Sequence, residues 1–388
     1  MQSSNDRPSV RVLVVTVAHR GDDARIAFRQ IGALRDAGID VIYAAPEPAL
    51  DHGSVERHVL PRATGRRRLA AWAAAVRIVR RHRGRFDLVL VHDLELVLPI
   101  RLARPGVPIV WDVHEDVIAS VADRDWIPRR CRRAVRTLVT GLEWLARRGI
   151  DLILAEWSYR DRLGKWPVVP NSTTVPEQPR SDRDPRSVVY VGRLSRGRGT
   201  IEMIAAAREL GDAADVVLVG AADADVADEL RRAHRDGVID WRGPLPNPEA
   251  LELVQRASVG LCLLHPLPNY VGSMPTKIYE YFAHGTPVVA TALPRAAEAV
   301  DAAGAGLIVP FRDASATADA VRTYLRDPEL ARRDGSLGHR WVSENHNWAV
   351  DGRVFARQIE RWATDVPGAS GADIARSDSD HDVGRHAS

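Results

Sequence analysis

The sequence SVVYVGRLSRGRGTIEMIAAARELGDAADVVLVG, residues 187–220, contains two apolar, β-branched runs on either side of a helical pattern. The runs at 187–192 and 215–220 have the length of buried strands, and the segment between them is long enough for a helix. Parallel strands joined by helices are buried on both faces and are therefore apolar along their length. The stretch predicts a doubly wound α/β sheet.

The same alternation continues on both sides of this stretch. Further apolar runs lie at residues 11–17, 40–45, 87–91, 108–113 and 151–155, and at 258–264, 286–291 and 306–310. Two series of this kind predict two Rossmann-like doubly wound domains. Because open α/β sheets bind ligands at the carboxyl ends of their strands, we expect the domains to face a central cleft.

Changes of composition mark the expected domain limits. The expected segments are a disordered N-terminus at 1–8, an N-terminal domain at 9–170, a Pro-rich linker at 171–186, a C-terminal domain at 187–347 and a disordered tail at 365–388. A helical pattern at about 348–364 is expected to pack back onto the N-terminal domain. The polar, acidic tail is interpreted as solvated chain.

The overall composition is that of an ordinary globular protein. The chain has 388 residues, of which 45% are hydrophobic and 27% charged, enough for two domains with real cores. Its two cysteines, Cys131 and Cys262, lack metal-ligand spacing and fit a reducing compartment. Since we find no apolar leader and no run of 18 apolar residues, we expect a cytoplasmic protein without a spanning helix.

Basic charge is concentrated in the first half of the chain. Residues 9–166 carry 28 Lys and Arg against 19 Asp and Glu, net +9, whereas residues 167–388 carry 25 against 31, net −6. Nine arginines and no acid lie in 62–85, and eight arginines lie in 124–148. Tryptophans accompany them at Trp72, Trp126 and Trp144. Either these helices bury their apolar stripes and expose arginine to water, or this face binds anionic lipid.

The segment GSMPTKIYEYFAHGTPVV, residues 272–289, predicts a helix followed by a strand. Pro275 suits the first helical position, with Ser273 or Met274 as the preceding cap, and Gly285 suits the helix end. The free N–H groups and dipole of a helix N-terminus attract phosphate, here beside Thr276.

Two charged side chains on this helix extend the hypothesis to a nucleotide diphosphate. Lys277 in the first turn would add positive charge for phosphate, and Glu280, one turn later, could accept hydrogen bonds from a ribose diol. The alternative is a surface helix with an ordinary Lys-Glu pair.

A basic loop follows the predicted strand 187–192. Arg193 and Arg198 lie in it, and their planar guanidinium groups suit diphosphate oxygens. In a chain whose 54 basic residues include only two lysines, Lys165 and Lys277, an arginine-rich surface loop is the alternative.

Three histidines end predicted strands of the first domain. His19, His92 and His114 are expected to converge at one edge of the sheet, although each could be an ordinary core or surface histidine. The polar residues around the first two are Gly21, Asp22, Asp23, Arg25 and Asp93. These histidines and their neighbours do not have the spacing of a zinc-binding motif, so we expect no metal site.

With these segments the sequence resembles the group 1, or family four, retaining glycosyltransferases of the GT-B fold over nearly its whole length, about residues 10–364. The resemblance is carried by residues 19–26, 113–115, 170–172 and 192–194, by Arg198, and most specifically by 277–289.

The resemblance implies a donor site in the C-terminal domain and an acceptor site in the N-terminal domain. Donor diphosphate would be bound by Arg193, Arg198, Ser273, Thr276 and Lys277, and donor ribose by Glu280. His114 would be catalytic, beside the transferred sugar. The acceptor side would comprise His19, Gly21, Asp22, Asp23, Arg25, His92 and Asp93. The chain departs from the family at Gly272, where relatives have the first of two paired glutamates.

The implied activity is metal-independent transfer of a sugar from a nucleotide-diphosphate sugar, with retention, to a glycan, lipid-linked or small-molecule acceptor such as a cell-envelope polysaccharide precursor. No cofactor is expected beyond this co-substrate. We expect a cytoplasmic enzyme, peripheral on the inner face of the cell membrane. The alternatives are a sugar-nucleotide epimerase, an inactive binding relative, or a basic nucleic-acid-binding protein; the last lacks any nucleic-acid-binding motif.

Overall fold

The computed structural model describes residues 9–48, 53, 55–114 and 131–365. Within these residues the chain forms two compact units, the first comprising residues up to 114, 131–171 and 350–365, and the second comprising 172–349. The segments predicted to be disordered, 1–8 and most of the tail, lie outside the described residues.

The first unit is a six-stranded, wholly parallel sheet in the order β3-β2-β1-β4-β5-β6. The strands are β1 Arg11–Val15, β2 Asp40–Ala45, β3 Glu56–Val59, β4 Leu88–Val91, β5 Ile109–Val113 and β6 Asp151–Leu154. A π-helical segment Ala24–Gln30 leads into α1 Ile31–Asp36, and the other helices are α2 Arg68–Arg81, α3 Leu94–Ala103, α4 Arg132–Ala146 and α5 Arg160–Leu163.

The apolar runs form the strands because the sheet buries both of their faces. All four residues of β4 and all five of β5 are buried. On α2, Ala71, Ala75 and Val79 recur at four-residue spacing and are fully buried in the core of this unit. The predicted strand at 11–17 is two residues shorter in the structure, since Thr16 and Val17 lie beyond the end of β1.

The second unit has the same architecture, a parallel sheet in the order β12-β11-β10-β7-β8-β9. Its strands are β7 Asp184–Val191, β8 Asp215–Val219, β9 Asp240–Trp241, β10 Ala257–Cys262, β11 Val288–Thr291 and β12 Gly306–Val309. Its helices are α6 Thr200–Leu210, α7 Ala227–Arg235, α8 Asn247–Arg256, α9 Pro268–Val271, α10 Thr276–Ala283, α11 Pro294–Ala303, α12 Ala314–Arg326 and α13 Pro328–Asn345. A last helix, α14, spans Trp348–Thr364.

Each sheet reverses its strand order once, between β1 and β4 in the first unit and between β7 and β10 in the second. Such a reversal opens a crevice at the carboxyl ends of the two strands, where open α/β sheets bind ligands. The loop after β7 is held against the loop after β8 by two glycines. A Cβ on Gly220, whose φ is +142°, would lie 1.8 Å from the carbonyl oxygen of Gly192, so only glycine permits this approach.

No helix of the described residues combines the length and the apolar character needed to cross a bilayer.

Candidate functional site

Three histidines meet at the strand reversal of the first unit. His19, His92 and His114 follow β1, β4 and β5, which are neighbours in the sheet. The Nε2 atoms of His19 and His114 are 3.2 Å apart, and the ring centroids of His92 and His114 are 5.7 Å apart. The predicted convergence of the three rings is therefore present in the structure.

A fully buried carboxylate, Asp112, lies beneath these rings at 0% exposure. Arg25 binds both of its oxygens, with Nε 2.9 Å from Oδ2 and Nη2 2.8 Å from Oδ1. Gln30 donates to Oδ2 at 3.0 Å, and the Nδ1 atoms of His92 and His114 each lie 3.3 Å from Oδ2. One carboxylate therefore orients an arginine, an amide and two imidazoles.

The protonation states in this network follow from burial and from Arg25. Burial alone would raise the pKa of Asp112, but the charge and hydrogen bonds of Arg25 hold that pKa well below its ordinary value. Burial lowers the pKa of His92, since desolvation opposes a charged ring. The centre therefore contains an ionised carboxylate, a guanidinium and a neutral His92.

The more accessible edge of the cluster is formed by His114 and His19, whose side chains are 10% and 16% exposed. The Nδ1 atom of His114 is 3.1 Å from the carbonyl oxygen of Asp112, an arrangement that places a proton on Nδ1, because a carbonyl oxygen only accepts. The Nε2 atom of His114 faces Nε2 of His19, which lies 3.6 Å from Oδ1 of Asp93. Polar side chains thus follow one another from Asp112 to Asp93.

The remaining polar residues predicted on this side have identifiable structural partners. The side chain of Asp23 caps the π-helical segment by accepting from the N–H groups of Arg25 and Ile26 at 2.9 and 3.1 Å. Asp22 pairs with Arg20 through two hydrogen bonds of 2.8 Å, and these lower the pKa of Asp22. A Cβ on Gly21 would lie 2.5 Å from backbone oxygens, which explains the glycine.

His92, Asp112 and His114 offer ligand atoms within 4.8 Å of one another, a spacing that a metal ion could use. Arg25 already provides the positive charge at this point, and its side chain is only 6% exposed. It is further held by Asn171 at 2.8 Å. A metal ion would therefore have to displace a buried, multiply bonded guanidinium, so we interpret this cluster as a hydrogen-bonded network.

In the second unit the reversal between β7 and β10 lies beside a buried lysine. Lys277, in the first turn of α10, is only 7% exposed, and its Nζ lies 5.1 Å from the ring centroid of Tyr190. No carboxylate of the described residues lies within 4.0 Å of this ammonium. A buried cation without an anionic partner is costly, so this position favours an anionic ligand.

The start of α10 differs by one residue from the prediction. The helix begins at Thr276 and Pro275 is its N-cap, so Pro275 is not the first helical residue. The predicted cap was also wrong, because the hydroxyl of Ser273 donates to the carbonyl oxygen of Asn269 at 3.0 Å. Because the side chain of Pro275 has no hydrogen-bond acceptor, the N–H groups of Thr276 and Lys277 have no hydrogen bond among the described residues. Free N–H groups of this kind are what an anion site requires.

Two arginines of the loop after β7 add to this positive charge. Arg193 is exposed and pairs with Asp223 at 2.6 Å, whereas Arg198 is half-buried with its guanidinium 5.5 Å from the ring centroid of Tyr270. Burial opposes the charge of Arg198, but the hydroxyls of Tyr190 and Tyr270 raise its pKa above the ordinary value. Arg198 therefore keeps its positive charge at physiological pH.

Glu280 is half-buried on α10, one turn beyond Lys277. Gly272 is exposed, and a Cβ there would meet nothing within 4 Å. The backbone therefore does not require glycine at position 272, and a glutamate would fit there without a steric clash.

Sequence reasoning missed the groups that support the charged residues. Asp112 lies within a strand that is otherwise apolar, and a carboxylate in such a run was the available signal. Gln30 gave no comparable signal. Tyr190 also lies in a buried strand, yet its hydroxyl donates to the carbonyl oxygen of Arg193 at 2.8 Å and so supports the loop.

Comparison with known proteins finds a match to a family model within the second unit. Residues 185–327 match the family model described as glycosyl transferases group 1. The glycogen synthase of Mycobacterium tuberculosis is 27% identical over 283 residues, which are 68% of this chain and 66% of that enzyme. The alignment thus spans slightly less than two thirds of this relative.

Solved structures match over a larger share of the chain. Sucrose-phosphate synthase from Thermosynechococcus elongatus has a TM-score of 0.66 at 20% identity, covering 91% of this chain and 99% of that one. Anabaena Alr3699/HepE, solved in complex with UDP-glucose, has a TM-score of 0.67 at 15% identity, covering 90% and 99%. These likenesses confirm the expected α/β architecture, the GT-B fold.

Replacing Asp112 with Asn should destabilise the protein by about 3 kcal/mol, because the buried guanidinium of Arg25 loses its counter-charge. Because the folded pKa of Asp112 is lowered, its contribution is fully present above the unfolded pKa of about 3.9 and is lost as the pH falls through the folded value. Urea unfolding at several pH values measures both effects.

The control is Asp22→Asn, which removes the carboxylate that pairs with the exposed Arg20. It should lower the free energy of unfolding by less than about 1 kcal/mol. Equal effects of the two substitutions at neutral pH would show that Asp112 is not the centre of the network.

Proposed function

We propose, from the match of its second unit to the model of group 1 glycosyltransferases, that this protein transfers a sugar from a nucleotide-diphosphate sugar to an acceptor with retention of configuration. The single observation that carries the donor assignment is the buried ammonium of Lys277, which pairs with no carboxylate of the described residues and lies on the helix whose first N–H groups have no hydrogen bond among them. Retention is proposed from the resemblance of the sequence to retaining enzymes. The alignment with a glycogen synthase and the fold shared with a UDP-glucose complex support a nucleotide sugar as the donor.

In this proposal the diphosphate lies at the N-terminus of α10. Lys277 and the N–H groups of Thr276 and Lys277 bind its oxygens, and Arg193 and Arg198 neutralise the rest of its charge. The carboxylate of Glu280, one turn further along the helix, accepts hydrogen bonds from the ribose hydroxyls. Ser273 contributes less than the sequence indicated, since its hydroxyl proton is engaged by Asn269.

Catalysis is then electrostatic stabilisation of the departing diphosphate. Charge that develops on the leaving phosphate is balanced by Arg193, Arg198, Lys277 and the helix dipole, so no divalent cation is needed. We assign the catalytic role in the first unit to His114, whose ring is oriented through Nδ1 by Asp112. His19, Gly21, Asp22, Asp23, Arg25, His92 and Asp93 make up the proposed acceptor side.

The acceptor is proposed to be lipid-linked, presented at an anionic membrane surface. On α4 several large apolar side chains face water: Leu138 is 62% exposed and Trp144 is 48% exposed. Arg133 and Arg136 are exposed on the same helix. Exposed apolar groups with flanking cations suit an interfacial helix on anionic lipid. By contrast, Ala71, Ala75 and Val79 of α2 are fully buried in the core of the first unit.

Lys277→Ala should weaken binding of UDP, ADP or GDP, whichever shifts the melting temperature of the wild type most, by about tenfold or more. Lys277→Arg should also weaken it, because a planar fork replaces a compact ammonium in a buried place. Thermal shift and isothermal titration with the nucleotide and its sugar measure the effect.

The matched control is Lys165→Ala, which removes the chain's other lysine from an exposed position and should leave binding unchanged. Wild-type affinity in both Lys277 variants would remove the donor site from this helix. Conversion of the sugar nucleotide without any acceptor would indicate an epimerase instead.

Transfer activity should be unchanged by EDTA and by added Mn²⁺ or Mg²⁺, because protein cations balance the leaving diphosphate. The measurement is product formation at saturating donor, well below the unfolding temperature, before and after dialysis against the chelator. Activity that disappears with EDTA and returns with a divalent cation would contradict the proposed mechanism.

Co-sedimentation should be stronger with vesicles containing phosphatidylglycerol than with phosphatidylcholine alone, and added salt should weaken it. Leu138→Glu should reduce this binding, because it introduces like charge and removes apolar area at the proposed contact. The control is Leu69→Glu on α2, at another exposed leucine. Equal binding to the two kinds of vesicle would rule out the lipid surface.

A further inference from the structure

A second group of potential ligands lies at the edge of the first sheet. Glu56 and His58 are two residues apart on the edge strand β3, and His82 follows the last residue of α2. Oε1 of Glu56 lies 3.2 Å from Nε2 of His58 and 3.6 Å from Nδ1 of His82. All three residues offer ligand atoms within 4.8 Å of one another.

These distances suit a tetrahedral metal ion. Zinc binds imidazole nitrogen and carboxylate oxygen at about 2.0 to 2.1 Å, so two ligand atoms on a tetrahedral ion lie about 3.4 Å apart. Both distances from the carboxylate oxygen of Glu56 are within a few tenths of an ångström of that value. Two imidazoles and one carboxylate are also a ligand set that zinc uses with water in the fourth position.

A protein cation occupies this place in the structure. The guanidinium of Arg85 lies 2.9 Å from Oε2 of Glu56 and 2.9 Å from Nδ1 of His82. Arginine only donates, so Nδ1 of His82 must accept, and its lone pair points toward the cluster. The tautomer needed for a metal ligand is therefore already present. Because the side chain of Arg85 is half-exposed, it can move into water when a stronger cation arrives.

The ring of His82 is fixed by packing rather than by hydrogen bonds on its far side. Its side chain is 4% exposed, and its Nε2 has no hydrogen-bond partner in the part of the chain that the structure describes. The ring of His58 lies 4.6 Å from it, centroid to centroid. One ligand is thus held rigidly, while Glu56 and His58 are more exposed and can adjust around an ion.

We propose that Glu56, His58 and His82 form a binding site for a divalent transition-metal ion of the Zn²⁺ class, which replaces the guanidinium of Arg85. The bound ion would clamp the edge strand β3 to the end of α2, and its role is structural. The strand β2 separates β3 from β1, the strand that leads to His19. The site is therefore separate from the histidine network described above, and it carries no step of the proposed transfer.

The test is titration of the purified, chelator-treated full chain with Zn²⁺ alone, followed by calorimetry and by melting temperature. Zn²⁺ should raise the melting temperature of the wild type, since an ion that binds only the folded state stabilises it. His58→Ala and Glu56→Gln should each weaken Zn²⁺ binding by more than about tenfold. Removing a residue that only hydrogen-bonds to a metal ligand already costs at least about tenfold in affinity, and these two residues are proposed as ligands themselves. Both positions are partly exposed, so the variants should remain folded.

Arg85→Ala separates this proposal from adventitious binding by a surface histidine. It removes the competing cation and should tighten Zn²⁺ binding, and Co²⁺ in its place should give the visible absorption of a four-coordinate site. His234→Ala in the second unit is the control, and it should change neither the Zn²⁺ affinity nor the Co²⁺ absorption. Wild-type Zn²⁺ affinity in the His58 and Glu56 variants, or weaker binding after Arg85→Ala, would overturn the proposal.

Discussion

A carboxylate buried among parallel strands must be neutralised, and the first unit is organised around that requirement. Asp112 has no access to water, and the guanidinium of Arg25 satisfies both of its oxygens. Arg25 in turn binds Asn171 and the carbonyl oxygen of Val169, so it joins the π-helical segment to the end of this unit. The orientation of His114 depends on the same carboxylate. The network therefore depends on one carboxylate, whose loss would leave the buried guanidinium of Arg25 without its counter-charge.

The second unit presents the opposite arrangement at the corresponding place in its sheet. Lys277 is as inaccessible as Arg25, yet none of the described carboxylates pairs with it. A buried charge with a complete set of partners stabilises a fold, whereas a buried charge without them is available to a ligand. This contrast, rather than the number of arginines in the loop, distinguishes the proposed donor site from an ordinary basic surface.

Local sequence predicted where the three histidines meet and approximately where α10 begins, but it did not identify Asp112. The convergence of His19, His92 and His114 was predictable because neighbouring parallel strands end at the same edge of a sheet. The start of α10 was predicted one residue early, because Pro275 fits the N-cap as well as the first helical position. Asp112 was overlooked as a site residue because its neighbours in β5 are apolar, and nothing local identifies its distant partners.

The arginine-rich helices α2 and α4 also show that local sequence does not determine which side chains are buried. The apolar stripes of α2 and α4 are alike in sequence, yet α2 buries Val79 while α4 exposes Leu138. The amino-acid sequence alone establishes two doubly wound sheets and the positions of the charged residues, since periodicity and β-branched runs act over a few residues. Tertiary structure decides which charges are paired, which apolar face is covered and which histidines share a proton. Those outcomes depend on contacts between residues such as Arg25 and Asp112, which are far apart in the chain and meet only when the sheet assembles.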